Sequence, residues 1–273
     1  MKDKVADHYT RGNLAETLLD ALKRAGCDPD GLTPDDLAPF DEFHVRGRAA
    51  TQELLEKIDV SPTGHALDVG SGLGGPSRRL AALRGCHVTG IDLTHEYCDV
   101  ATLFARHVGL ERSVTYRRAD ALSMPFDDAV FDAAFTQHVA MNISDRPGLY
   151  REIARVLRPG AIFGLYDIFE GHVGNVRYPA PWAETPETSF LVTPDAIGPL
   201  LDDAGFELVS QRNTTDEGRA WVNAMREKTQ RDGPPPLGLH LLLGPVFKDM
   251  AANMVANLNE DRIALLEIIC RKS

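Results

Sequence analysis

The chain lacks most of what would tie it to an extracellular, membrane or nucleic-acid setting. Cysteine is scarce, four in 273 residues: Cys27, Cys86, Cys98 and Cys270. None stands in a CxxC or Cys/His ligand spacing, and a chain of this length buries enough surface to need no covalent staples. They read as free thiols in a reducing compartment, and no metal is expected. No apolar run approaches the roughly 18 residues of a membrane span. Met1-Lys2-Asp3-Lys4 leads into polar sequence without the apolar stretch of a signal peptide, so a cytoplasmic protein is the expectation. Bases are in deficit, 29 Lys and Arg against 40 Asp and Glu, a formal charge of -11. A field of that sign repels phosphate backbones and anionic lipid, so neither nucleic acid nor a membrane is expected as partner.

What is present has the order of one α/β domain with additions. Residues 1–60 read as a helical cap, with Thr33-Pro34-Asp35-Asp36 as N-cap, Pro at the first helical position and acids in the first turn. From 61 to 170 short apolar strands (65–70, 86–92, 113–119, 130–136, 161–168) alternate with helical patterns at about 76–83, 94–108 and 146–157. In the second of these Tyr97, Val100, Ala101, Phe104 and Val108 share one face. Such alternation implies a parallel sheet with helices on both faces and ligands at the carboxyl ends of its strands. Residues 171–193, with Tyr178-Pro179-Ala180-Pro181-Trp182, break the rhythm as a lid insertion. Thr193-Pro194 then caps a helix to about 204, and the core resumes over 194–213 with a strand at 206–213. A second insertion, 214–262, carries Pro234-Pro235-Pro236 and a helix with Val246, Phe247, Met250, Met254, Val255 and Leu258 on its apolar face. Residues 263–273 supply the last strand. Met250 and Met254 suit core or subunit contact, and the exposed aromatic loop admits a homodimer.

The first strand ends Leu67-Asp68-Val69-Gly70-Ser71-Gly72-Leu73-Gly74-Gly75. Gly70, Gly72 and Gly75 satisfy GxGxxG between a strand and a helix, and Asp92, about 20 residues on, is placed to accept from ribose hydroxyls. Asp68 separates the ligand classes. A carboxylate at that strand tip suits a ligand with cationic groups better than a diphosphate: two unit charges ~4 Å apart at an effective dielectric of about 20 interact by about 4 kcal/mol before desolvation. S-adenosylmethionine carries an ammonium and a sulfonium. Asp120, at the third strand tip, is placed to accept from an adenine amino group. Taken singly, each acid is as well a solvated strand end or a cap.

Asp68-Val69-Gly70-Ser71-Gly72, Gly90-Ile91-Asp92, Ala119-Asp120-Ala121, Pro125-Phe126, Phe131-Asp132 and Arg155-Val156-Leu157-Arg158-Pro159-Gly160, in that order, resemble a class I S-adenosylmethionine-dependent methyltransferase over roughly 60–213 plus the last strand. Phe40-Asp41-Glu42-Phe43-His44-Val45-Arg46-Gly47, Gln137-His138-Val139-Ala140-Met141-Asn142-Ile143 and Tyr178-Pro179-Ala180-Pro181-Trp182-Ala183 resemble the small-molecule branch that includes sarcosine/dimethylglycine and phosphoethanolamine N-methyltransferases. The resemblance implies a Rossmann-like doubly wound sheet of seven strands with the last antiparallel. It implies S-adenosylmethionine as methyl donor, S-adenosylhomocysteine as product and an amine nitrogen as acceptor. It places cofactor contacts at Gly70, Ser71, Gly72, Asp92, Leu93, Asp120, Ala121 and Gln137, with His44 and Gly47 closing over the methionine end. The phosphoethanolamine enzymes have an Asp and a His where this chain has His138 and Asn142.

His138 follows the fourth strand, and an imidazole of ordinary pKa ~6.5 suits proton transfer at neutral pH. It is the candidate base or acceptor-orienting group, with a histidine satisfying backbone groups as the alternative. Tyr9 and Asn142 are candidate acceptor contacts. Tyr178 and Trp182 either wall the acceptor pocket or anchor the lid. O- or C-methyl transfer, a nicotinamide-dependent oxidoreductase and a non-catalytic cofactor sensor are the competing readings.

Overall fold

The computed structural model describes residues 12–273, and the candidate acceptor contact Tyr9 lies outside the described residues. Five parallel strands form at the places read for them: β1 (His65–Val69), β2 (His87–Asp92), β3 (Val114–Arg118), β4 (Phe131–Gln137) and a longer β5 (Leu157–Glu170). β6 (Phe206–Asn213) and β7 (Ile263–Lys272) complete a seven-stranded sheet in the order β3-β2-β1-β4-β5-β7-β6, with β7 antiparallel to both neighbours. The sheet is the mixed, last-strand-antiparallel one the resemblance implies. Its strand order reverses between β1 and β4, where a crevice opens at the carboxyl ends of parallel strands.

Ahead of the sheet lie α1 (Leu14–Arg24), α2 (Pro34–Asp41) and α3 (Arg48–Leu55). α2 starts on the expected N-cap, Thr33, which closes as a capping box: Thr33 and Asp36 each bond the other's backbone N–H, satisfying two donors the helix leaves orphaned. Within the sheet region run α4 (Gly75–Arg84), α5 (His95–His107), α6 (Arg146–Val156) and α7 (Ile197–Asp202). α5 buries Tyr97, Val100, Ala101 and Phe104, the face its periodicity predicted.

The apolar side chains sort into layers on the two faces of the sheet. One holds Leu54, Ile58, Phe135, Ile168 and Leu265, the other Leu149, Ile153, Phe163, Leu201 and Phe206. A third cluster joins α1 and α2 to α5 through Leu14, Leu18, Phe40 and Phe104. The cap is thereby packed onto the edge of the crevice.

Three expectations are corrected. The helix expected to run from Thr193-Pro194 to about 204 is a 3-10 turn, Pro194–Ala196, followed by the six-residue α7, and Thr193 makes no side-chain cap. β5 starts at Leu157 rather than 161, because Leu157 pairs with Phe131 before the register shifts to Ile162 and Ala133. The 214–262 insertion holds three helices where one was read: α8 (Thr215–Asp232), α9 (His240–Leu243) and α10 (Phe247–Asn259). α8 buries Thr215, Gly218 and Val222, so it carries too little apolar periodicity to be seen. In α10, Met250 and Met254 are buried in the core.

Candidate active site

The crevice is built from the loops that follow β1, β2, β3 and β4. After β1 the chain turns sharply, with Gly70 and Gly72 at positive φ, +78° and +52°. At Gly70 an added Cβ would lie 2.3 Å from a Val139 methyl, so the loop after β1 packs directly on the loop after β4. At Gly72 the space is open and the backbone conformation alone selects glycine. Gly70 and Ser71 donate their N–H groups to the Ile91 carbonyl at 2.8 and 2.9 Å.

Asp92 organises this turn as well as facing the crevice. Its Oδ2 accepts from Gly72 N at 3.0 Å and its Oδ1 from Thr94 N at 2.8 Å. Burial raises its pKa, and the two peptide donors oppose that rise. Asp68 lines the same crevice and accepts from the Ser77 hydroxyl at 2.6 Å. Burial, with the Asp92 charge adding to it, pushes Asp68 up to about 7. Asp120 Oδ1 accepts from Leu122 N at 3.0 Å. The acids at the three strand ends thus line one cavity together with Gly70, Ser71, Gly72, Leu93, Ala121, Gln137, His138 and His44.

Sequence reasoning did not find the polar layer behind the cap. Asp41 also lines the cavity and pairs with Arg78, whose guanidinium is 1% exposed and donates to the Leu73 carbonyl at 2.8 Å. Next to it Glu42 accepts from the Thr51 hydroxyl, and burial followed by the Asp41 charge pushes it up to about 8. His44 Nε2 lies 3.0 Å from the Gly47 carbonyl and 2.9 Å from Thr51 Oγ1. A carbonyl only accepts, so Nε2 carries the ring proton. Burial lowers His44 to about 4 and keeps that ring neutral at physiological pH. Gln137 reaches the same group, its Nε2 3.4 Å from Thr51 Oγ1. The one signal for this layer in sequence is the pair of adjacent acids, Asp41-Glu42, at a helix end just before His44. Gly47 contributes its carbonyl to His44 and is not part of the cavity wall.

His138 occupies the first position after β4 with φ +52°, in the left-handed region. Its N–H donates to the Tyr166 carbonyl at 2.8 Å. Its ring lies 5.1 Å from Tyr166 and 5.8 Å from His44, centre to centre. Tyr166, which sequence reasoning passed over, is fixed by its hydroxyl donating to the Val45 carbonyl at 3.1 Å. Nε2 of His138 is buried and has no hydrogen-bond partner among the described residues. Burial, then the neighbouring His44, lowers its pKa well below the ordinary imidazole value.

The candidate acceptor contacts fare unequally. Asn142 lines the cavity, but its Nδ2 donates to the Trp182 and Thr188 carbonyls at 2.7 and 3.1 Å. Trp182 is 2% exposed in the core and donates Nε1 to Ser189 Oγ at 2.9 Å. Tyr178 packs half-buried on the same core. Neither aromatic lines the cavity, which corrects the reading of them as its walls: their apolar area is spent anchoring the segment. Asn142→Ala removes both tethers, each worth roughly 1–3 kcal/mol if its buried partner goes unpaired. Hydrogen exchange over 178–190 is expected to accelerate in that variant; unchanged exchange there would count against the tether.

Residues 67–165 match the family model described as a methyltransferase domain. A sterol 24-C-methyltransferase of Gibberella zeae, ERG6B, is 37% identical over 114 residues, 42% of this chain and 30% of that protein. The methyltransferase GfsG of Streptomyces halstedii is 34% identical over 166 residues, 60% of this chain and 58% of that one. Both matches therefore span less than two thirds of the relative's length. The crystal structure of the [4+2]-cyclase SpnF superposes with a TM-score of 0.67 at 25% identity, covering 82% of this chain and 80% of that one. Glycine turn, strand-end acids, sheet order and family match agree that residues 67–165 form a methyltransferase domain with the fold of the class I S-adenosylmethionine-dependent enzymes.

Proposed function

We propose that the chain transfers a methyl group from S-adenosylmethionine to a proton-bearing heteroatom of a small molecule. The observation that carries this is the buried Nε2 of His138, on an uncharged ring and without a hydrogen-bond partner among the described residues, in the same cavity as the glycine turn and the strand-end acids. The residues present fit the donor. Asp92 and Asp120 line the cavity as acceptors for a ribose and an adenine amino group in this reading, and the buried Oε1 of Gln137 and Oγ of Ser71, without partners among the described residues, have partners to gain among polar ligand atoms. A nicotinamide coenzyme fits poorly: its diphosphate would face Asp41, Asp68, Asp92 and Asp120 with no Lys or Arg among the described lining residues.

When bound, S-adenosylmethionine supplies an already activated methyl group, so alignment of the acceptor is the main task left to the protein. The cap residues His44 and Phe43 line the cavity, His44 with its ring against that of His138, and the Asp92-bonded turn holds the backbone donors in place. His138 takes the acceptor's proton on Nε2 or holds that hydrogen while the new bond forms. Nitrogen is the acceptor atom by resemblance, and a hydroxyl meets the same imidazole. Among the described residues no helix is long and apolar enough to cross a membrane, and no cluster of His, Cys, Asp and Glu could hold a metal ion.

Calorimetry with S-adenosylmethionine against NAD, followed by S-adenosylhomocysteine release over a panel of amines, phenols and alcohols, tests the proposal; NAD binding alone would overturn it. Asp68 gives the same titration a second readout. Its pKa of about 7 leaves it partly protonated near neutral pH, and a cation brought alongside favours the ionised form. S-adenosylmethionine binding at pH 7 is therefore expected to release protons, seen as a heat that changes with the ionisation enthalpy of the buffer. Asp68→Asn removes that dependence; a buffer-independent heat in the unmodified protein would separate Asp68 from the ligand's charge.

A further inference from the structure

The two sides of the cavity differ in chemistry. The strand-end acids Asp92 and Asp120 lie on the β2 and β3 side of the sheet's reversal, and His138 lies on the β4 side. On that side the β4 loop contributes Val139 and Ile143 together with the uncharged polar Gln137, Asn142 and Ser144, and His44 lies beside His138; Phe43 and Leu242 add apolar area to the same cavity. Both imidazoles are buried and uncharged, so neither offers a cation. The arginines packed near this region are committed elsewhere. Arg46 pairs with Glu53, Arg78 with Asp41, Arg118 donates to the Leu93 carbonyl, and Arg146 to Tyr150 and the Phe190 carbonyl. Asp68, partly ionised near neutral pH, adds negative charge to the wall, within a chain of formal charge -11, while Asp41 is balanced by Arg78.

We propose that the acceptor is an uncharged molecule with a hydrocarbon body that presents a hydroxyl to His138, and that phosphorylated and carboxylated acceptors are excluded. The proposal rests on the methyl-transfer reading and deepens it. It departs from what a phosphoethanolamine-like acceptor requires, since a phosphate in this wall would be desolvated without a counter-charge from the described residues and would face carboxylates. An alkylamine is disfavoured for a related reason: carboxylates nearby favour its protonated form, which has no lone pair for the methyl group. A hydroxyl keeps its lone pairs and donates its proton to Nε2 of His138. The apolar side chains around it are then matched by hydrocarbon.

The test uses the full chain saturated with S-adenosylhomocysteine and three probes on one skeleton: 4-butylphenol, 4-butylphenyl phosphate and 4-butylbenzoate. Saturation with S-adenosylhomocysteine is confirmed first by calorimetry, and its failure overturns the methyl-transfer reading itself. With the site loaded, the phenol is expected to bind at least about tenfold more tightly than either anion. Equal or tighter binding of an anion, or no measurable binding of the phenol, overturns the acceptor class and leaves the cofactor reading standing. Ser144→Arg places a cation at the exposed rim of the same cavity, where folding is little affected. It is expected to narrow the gap between phenol and phosphate severalfold. A gap that does not move would show that charge is not what excludes the anion, and would also overturn the proposal.

Discussion

His138→Asn is expected to lower single-turnover S-adenosylhomocysteine formation by roughly 10²–10⁴-fold while leaving S-adenosylmethionine affinity close to that of the unmodified protein. Asparagine is chosen because residue 138 has φ +52°, and Asn tolerates the left-handed region better than most side chains. The variant therefore keeps the turn after β4 and the N–H bond to the Tyr166 carbonyl while removing the basic nitrogen. The pH profile supplies a second check. Burial and His44 lower the His138 pKa, so the neutral, proton-accepting form persists below the ordinary imidazole range. Turnover limited by this group should stay level as pH falls through 6.5 and decline only further into acid, and His138→Asn should lose that limb. Stability follows the same sign: a depressed histidine contributes fully above its unfolded pKa and loses that contribution as pH falls toward the folded one. Equal losses of affinity and turnover in His138→Asn would make His138 a structural residue of the β4 loop.

The parts legible in sequence are those fixed by short-range pattern. The five parallel strands, the α5 face, the Thr33 N-cap and the glycine turn all depend on residues a few positions apart, and each appears where it was read within a few residues. The polar layer around His44 depends on distant positions. Gln137 and His44 are separated by 93 residues and Tyr166 and Val45 by 121, so no local period marks them. α8 escaped because a long helix with one lightly buried face looks like solvated loop. Trp182 and Tyr178 were open to two readings for a chemical reason. An aromatic that walls a pocket and one that pins a segment to the core have the same composition around them, and only the Trp182–Ser189 bond and the burial separate the two. The depressed histidines are likewise invisible before folding, since their shift comes from desolvation by remote parts of the chain.

Asp92→Ala is expected to weaken S-adenosylmethionine binding by on the order of 10²–10⁴-fold, the loss of two hydrogen bonds to a charged acceptor at about 1.5–3 kcal/mol each. The carboxylate has a double task. It holds Gly72 N and Thr94 N, and its remaining lone pairs are what a ribose would use. Alanine leaves both peptide donors without their acceptor, so the glycine turn loosens as well, and the fall in affinity exceeds what the ribose contacts alone would give. Asp92→Asn separates the two effects poorly, because its amide offers one acceptor and sets a donor against one of the two N–H groups. Loss of the Asp92 charge also removes one of the influences that raise Asp68. The Asp68 carboxyl then ionises at lower pH, and the proton release that accompanies binding at pH 7 should shrink in Asp92→Ala although Asp68 is untouched. A variant that binds S-adenosylmethionine as the unmodified protein does would confine Asp92 to bracing the turn. Weakened binding with undiminished proton release would instead show that the released proton comes from a group other than Asp68.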